Sequence, residues 1–186
     1  MNDSLKILGI AGSLRRKSYN RGALRAAVEL VPDGAMIEIF DLKDIPNFNQ
    51  DEEGNPPEIV AAFKEQILGA DAILFVTPEY NHSVTGVLKN AIDWASRPYG
   101  MSAWDEKPAA IMGASLGAVG TARAQLHLRQ ICATLNMHLV NQPEVLIGSA
   151  HEKFDENGNL TDETTKKFIR ILLENLVKLT RQRAKS

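Results

Sequence analysis

Residues 72–76, Ala-Ile-Leu-Phe-Val, carry no polar side chain. A short strand with no polar face must be covered on both sides, which is the setting of a central strand in a parallel sheet. Parallel neighbours require crossover connections, and helices normally supply them. The rest of the chain has that form. Leu5 to Ala11 is a short apolar run ending at Gly12-Ser13 and reads as a buried strand. Leu24, Ala27, Val28 and Val31 then fall on one helical face, and Pro32-Asp33-Gly34 stops that helix. Ala35 to Phe40 alternates and predicts a second strand. Asp41 to Pro57 is polar and long for a connection, so it reads as a functional or mobile segment.

Beyond it, Ile59, Phe63 and Ile67 mark a helix, as do Leu88, Ala91, Ile92 and Ala95, and later Leu128, Ile131, Cys132 and Leu135. Trp94 reads as core packing. Lys107 to Gly113 predicts the fourth strand, and Met137 to Val140 with Val145 to Ile147 beyond Pro143 predicts an interrupted fifth. Thr161 is the expected N-cap of the last helix, with Asp162 and Glu163 well placed for its dipole. Phe168, Ile171, Leu172, Leu176 and Leu179 are its expected inner face. Strands alternating with helices in this way predict an α/β doubly wound parallel sheet in a single domain over residues 1–186.

Composition narrows the function. A net charge of −2 argues against nucleic acid as a partner and against a polybasic membrane anchor. No apolar stretch approaches the roughly 20 residues that span a bilayer. Cys132 is the only cysteine, so no intrachain disulfide forms, and no secretory leader is evident. The cytoplasm is the expected compartment.

Ligands of doubly wound sheets bind beyond the carboxyl ends of the strands. The loop after the first strand reads Gly12-Ser13-Leu14-Arg15-Arg16-Lys17-Ser18-Tyr19-Asn20 and opens a helix. Free amides at a helix N-terminus suit an anion. Ser13, Ser18 and Asn20 add donors, and Arg15 adds a planar fork matched to phosphate oxygens. Those donors suit a terminal phosphomonoester, and neither the Walker A pattern nor G-x-G-x-x-G is present. The loop after the third strand, Thr77-Pro78-Glu79-Tyr80-Asn81-His82-Ser83, brings an aromatic ring, amides and hydroxyls together. That mixture suits a flat heteroaromatic with polar edges. The loop after the fourth strand, Ser115-Leu116-Gly117-Ala118-Val119-Gly120-Thr121, has small residues that permit close approach of backbone to a ligand.

With these loops in view, the chain resembles the NADPH-dependent FMN reductase family, which includes bacterial quinone, chromate and azo-compound reductases. The resemblance runs from the first strand to the fifth. It is carried by Gly12-Ser13-Leu14-Arg15 with Ser18 and Asn20, by Pro78-Glu79-Tyr80-Asn81 with Ser83, by Leu88-Lys89-Asn90-Ala91-Ile92-Asp93-Trp94, and by Ser115-Leu116-Gly117 with Gly120. It implies a flavodoxin-like five-stranded sheet, order 2-1-3-4-5, with helices on both faces. It implies FMN held at its phosphate by Ser13, Arg15, Ser18, Tyr19 and Asn20. Pro78, Glu79, Tyr80, Asn81 and Ser83 would edge the ring, and Ser115, Leu116, Gly117 and Gly120 would close the other side. It further implies NADPH or NADH as co-substrate, ping-pong hydride transfer through FMN to a quinone-like acceptor, and a homodimer or homotetramer. Chromate, azo and nitroaromatic compounds are adventitious acceptors on this reading. A flavodoxin-type electron carrier, or a supplier of reduced FMN to a monooxygenase, is the alternative. Arg15 and the mild charge count against the carrier.

Two positions depart from the family pattern. Thr85 stands where proline is usual and is expected to loosen the loop. Thr121 stands where a second glycine is common and is expected near the ring edge. His82 reads as a bystander, and His127, His138 and His151 show no metal-ligand spacing. Cys132 reads as a buried small hydrophobe. Asp51-Glu52-Glu53 reads as a solvated run without an EF-hand pattern. Arg123 and Glu144 read as exposed charges, with interface contacts as the alternative.

Overall fold

In a computed structural model, residues 4–185 form a parallel sheet flanked by helices. The chain runs β1 (Leu5–Ala11), α1 (Tyr19–Leu30), β2 (Ala35–Phe40), α2 (Glu58–Leu68), β3 (Ala72–Val76), α3 (Gly86–Ala95), β4 (Pro108–Ala114), α4 (Ala122–Thr134), β5 (His138–Leu139), β6 (Val145–Ile147) and α5 (Glu163–Arg183). The sheet order is β2-β1-β3-β4-β5, and β6 also pairs with β4. Every strand pairing is parallel. The fifth strand is interrupted as expected: His138 and Leu139 pair with Pro108 and Ala109, and Val145 to Ile147 pair with Met112 to Ala114. Pro143 lies in the gap and has no N–H for a ladder.

β3 shows why the sheet is covered twice. Side chains alternate along a strand. Ala72, Leu74 and Val76 join one core with Leu24 of α1 and Leu172 and Leu176 of α5. Ile73 and Phe75 join the other, with Phe63 of α2, Leu88 of α3, Leu128 of α4, and Trp104 from the α3–β4 connection. Trp94 is buried in α3, as expected.

Three expectations are corrected. The N-cap of α5 is Asp162, whose carboxylate accepts from the Thr165 amide at 2.8 Å. Thr161 instead turns its hydroxyl to Lys153 O at 3.1 Å. The inner face of α5 is Thr165, Ile169, Leu172, Leu173, Leu176, Val177 and Thr180, while Phe168 is 45% exposed. In α1, Val28 is exposed and Ala23 takes the expected buried place beside Leu24. The Asp41–Pro57 segment carries two short 3-10 turns, Leu42–Asp44 and Gln50–Glu52, and is tied to α3. The Phe48 amide donates to Asn90 Oδ1 at 2.7 Å, while Asn90 Nδ2 and Trp94 Nε1 donate to Pro46 O at 2.7 and 2.9 Å.

Candidate active site

The loops after β1, β3 and β4 meet at one end of the sheet around a cleft of about 400 Å³. Its volume falls within the range typical of small-molecule sites. One wall is the start of α1. Ser18 is the N-cap, and its hydroxyl accepts from the Arg21 amide at 3.4 Å. The first-turn amides of Tyr19 and Asn20 have no carbonyl within the helix to bond, so they present donor character outward. Ser13 and Ser18 are buried at the cleft floor. Arg15 lies over the Tyr19 ring, 5.6 Å from its centroid, and Tyr19 packs on Phe154 at 5.1 Å. A guanidinium backed by an aromatic face is held in place while its fork stays free.

Asn20 behaves differently from expectation. The residue is 3% exposed, and its side-chain amide forms a closed pair with Ala114: Nδ2 donates to Ala114 O at 2.8 Å, and Ala114 N donates to Oδ1 at 2.8 Å. The side chain therefore joins the β1–α1 loop to the end of β4.

Pro78, Glu79 and Tyr80 form a second wall. Tyr80 is 58% exposed at the rim. The Glu79 carboxylate caps α4: Oε2 accepts from the Arg123 and Ala124 amides at 2.9 and 3.0 Å, and Arg123 Nη1 reaches Oε1 at 3.3 Å. Burial works against ionisation of Glu79, but those amides and the guanidinium outweigh it and hold the carboxyl below its usual range. Arg123 is exposed, as expected, and also braces Glu79 on the cleft wall.

Ser115, Leu116, Gly117 and Gly120 close the third side with Ala114 and Val119. Ser115 Oγ donates to Gly120 O at 2.5 Å. Gly120 has φ +65°, and a Cβ there would sit 2.9 Å from Leu146 C, so a glycine is required. Leu116 and Val119 are exposed beside the opening.

The cleft gathers twelve of the fourteen residues singled out in the sequence: Ser13, Arg15, Ser18, Tyr19, Asn20, Pro78, Glu79, Tyr80, Ser115, Leu116, Gly117 and Gly120. Asn81 and Ser83 do not line it; Ser83 lies on a shallow groove between α3 and α4. Ala114, Val119 and Arg123 are additional lining residues. Val119 lies inside the small-residue loop after β4, a signal present in the sequence; nothing in the sequence alone couples Arg123 to Glu79.

Both threonines are corrected as well. Thr85 fastens the loop instead of loosening it. Its hydroxyl donates to Gly12 O at 2.7 Å and accepts from the Leu88 amide at 3.3 Å, capping α3 and tying it to the β1–α1 loop. Thr121 points away from the cleft. It is fully buried, accepts from Gln125 Nε2 at 3.0 Å, and packs where a Cβ on Gly113 would lie 2.2 Å from its Oγ1.

Residues 5–152 match the family model described as NADPH-dependent FMN reductase. The chain belongs to that family. Members are flavin-linked oxidoreductases, and this one is an enzyme that works with FMN and with NADPH or NADH. It is 53% identical to an NAD(P)H-dependent FMN reductase of Pseudomonas aeruginosa over 178 residues, covering 95% of each chain. It is 46% identical to a 2-hydroxy-1,4-benzoquinone reductase of a Burkholderia species over 180 residues, covering 97% of this chain and 98% of the other. The solved flavoenzyme NAD(P)H:(acceptor) oxidoreductase of Paracoccus denitrificans superposes with a TM-score of 0.88 at 35% identity, over 96% of this chain and 98% of that one.

Proposed function

We propose that this FMN reductase reduces quinones by ping-pong turnover, with Ser13, Arg15, Ser18 and the first-turn amides of α1 holding the FMN phosphate. The observation that carries the reading is the polarity of the cleft. The loop after β1 brings hydroxyls, helix amides and a guanidinium, while the loops after β3 and β4 bring Tyr80, Leu116 and Val119, all three exposed. A cofactor with a phosphomonoester at one end and a flat ring at the other matches that order, and the exposed apolar side chains suit a planar acceptor. Close quinone-reducing relatives support the acceptor class.

Bound FMN supplies a two-electron relay between the nicotinamide and the quinone. In balance, one quinone, one NAD(P)H and one proton give one hydroquinone and one NAD(P)⁺. The protein's part is to bind and orient. The α1 dipole and Arg15 anchor the anionic end. The Asn20–Ala114 pair and the Thr85–Gly12 bond keep the three loops in register. Pro78, Tyr80, Ser115 and Gly117 bound the space for the ring, with Asn81 and Ser83 supporting it from the adjoining turn. Chromate, azo compounds and nitroaromatics would draw electrons at the same opening.

Leu116 and Val119 on the cleft lining and Leu126 on α4 are each exposed, which suits a homodimer or homotetramer with its sites near the subunit contact. No helix among the described residues is long and apolar enough to cross a membrane. A reductant drawn from the NAD(P)H pool suits the cytoplasm.

The test is steady-state oxidation of NADPH and NADH by FMN-loaded protein with 1,4-benzoquinone varied. Quinone-dependent oxidation with parallel double-reciprocal lines is expected. Loaded protein that oxidises neither nucleotide when quinone is supplied contradicts the proposal.

A further inference from the structure

Ser83 and His127 lie outside the cleft lining, yet they meet each other: Ser83 Oγ is 2.9 Å from His127 Nδ1 of α4. Ser83 closes a four-residue turn with Tyr80. The Tyr80 amide donates to Ser83 O at 3.2 Å, and the Ser83 amide donates to Tyr80 O at 3.0 Å. Between them Asn81 and His82 have φ of 50° and 62°. Successive left-handed residues mark a type I′ turn. Left-handed backbone is disfavoured for a residue with a Cβ. A ribbon this short has little stability of its own. Its direction relative to the cleft is set by what holds its ends.

α4 holds both ends. Glu79, before the turn, accepts from the amides of Arg123 and Ala124. Ser83, at the close of the turn, meets His127, one helical turn beyond Arg123 and on the same side of the helix. Tyr80 stands between the two fastenings, on the cleft wall. A serine hydroxyl donates to a bare ring nitrogen and accepts from a protonated one, so the Ser83–His127 link persists in either form of Nδ1.

We infer that His127 is a positioning residue of the reductase site: through Ser83 it fixes the turn that presents Tyr80 to the FMN cleft. The consequence for turnover rests on the reductase reading; the clamp itself rests on geometry alone. Reacting groups tolerate little misplacement, so a turn free to swing would degrade ring placement.

The test uses His127→Ala, Ser83→Ala, their double, and His127→Asn, each in the full chain. Amide hydrogen exchange of residues 79–84 is followed with and without added FMN, beside FMN titration by flavin fluorescence. Both alanine variants are expected to exchange the backbone amide of residue 83 faster and bind FMN more weakly, each by about 3–10-fold, the scale of one hydrogen bond. The double should be no worse than either single, because the two changes remove one contact. His127→Asn, which keeps a polar atom near the Nδ1 position, should recover most of the loss, and quinone KM should rise more than kcat falls. Exchange and affinity unchanged in both alanine variants, while wild type binds FMN, overturn the role of His127 and leave the reductase reading standing. Wild type that binds no FMN overturns the reading and this role together.

Discussion

Arg15 and Asn20 sit in the same loop and do opposite work. Arg15 is exposed, rests on Tyr19 and keeps its fork free, so its removal should be felt by the ligand and hardly by the fold. Arg15→Ala is expected to cost about 1.5–3 kcal/mol of FMN affinity, the scale of a charged hydrogen bond, with an unchanged urea midpoint. Asn20 is the reverse case. Asn20→Ala leaves a buried N–H and C=O of Ala114 without partners, and about 1–3 kcal/mol of stability should disappear in urea unfolding. Glu79 adds a pH signature. Its carboxyl is held below the ordinary value of 4.5, so its contribution to stability is full above that pH and is lost as pH falls through the depressed value. The acid limb of a stability–pH curve should flatten in Glu79→Gln; a limb identical to wild type would show that the α4 cap carries no such linkage.

At the scale of elements, β3 was legible because burial on both faces leaves an unbroken apolar run, and its neighbours followed from the parallel pairing this demands. The phase of α5 was not. Phe168-Ile169 and Ile171-Leu172-Leu173 offer two apolar stripes one residue apart, and only the packing against β4 and α1 selects the one through Ile169 and Leu173. The site was legible as three loops, because phosphate-binding donors and small residues are local properties. The directions of polar side chains were not, because they depend on partners distant in sequence. Asn20 chose Ala114, Thr85 chose Gly12, and Glu79 chose the start of α4. Thr121 fills the space beside Gly113, where a Cβ would also meet Thr77 O at 2.1 Å. Gly113→Ala should therefore lose about 1–3 kcal/mol through overpacking, read as a lower Tm. A Tm equal to wild type would mean that β4 and α4 separate more easily than this packing implies.

For the whole molecule, the double-sided core accounts for the fate of its one thiol. Burial pushes the Cys132 thiol up to about 12, so neither thiolate chemistry nor redox exchange belongs to the native state. Native protein should resist iodoacetamide and react only on unfolding, and rapid native labelling would contradict that. The same core holds three loops at one sheet edge, and the account stands or falls on what those loops bind. The most direct measurement is the visible spectrum of the purified protein loaded with FMN, recorded without oxygen before and after NADPH and then NADH. The account predicts flavin bands that bleach with a nicotinamide nucleotide and return when a quinone is added. Bands that persist with both nucleotides would contradict it and point to an electron carrier reduced by another protein.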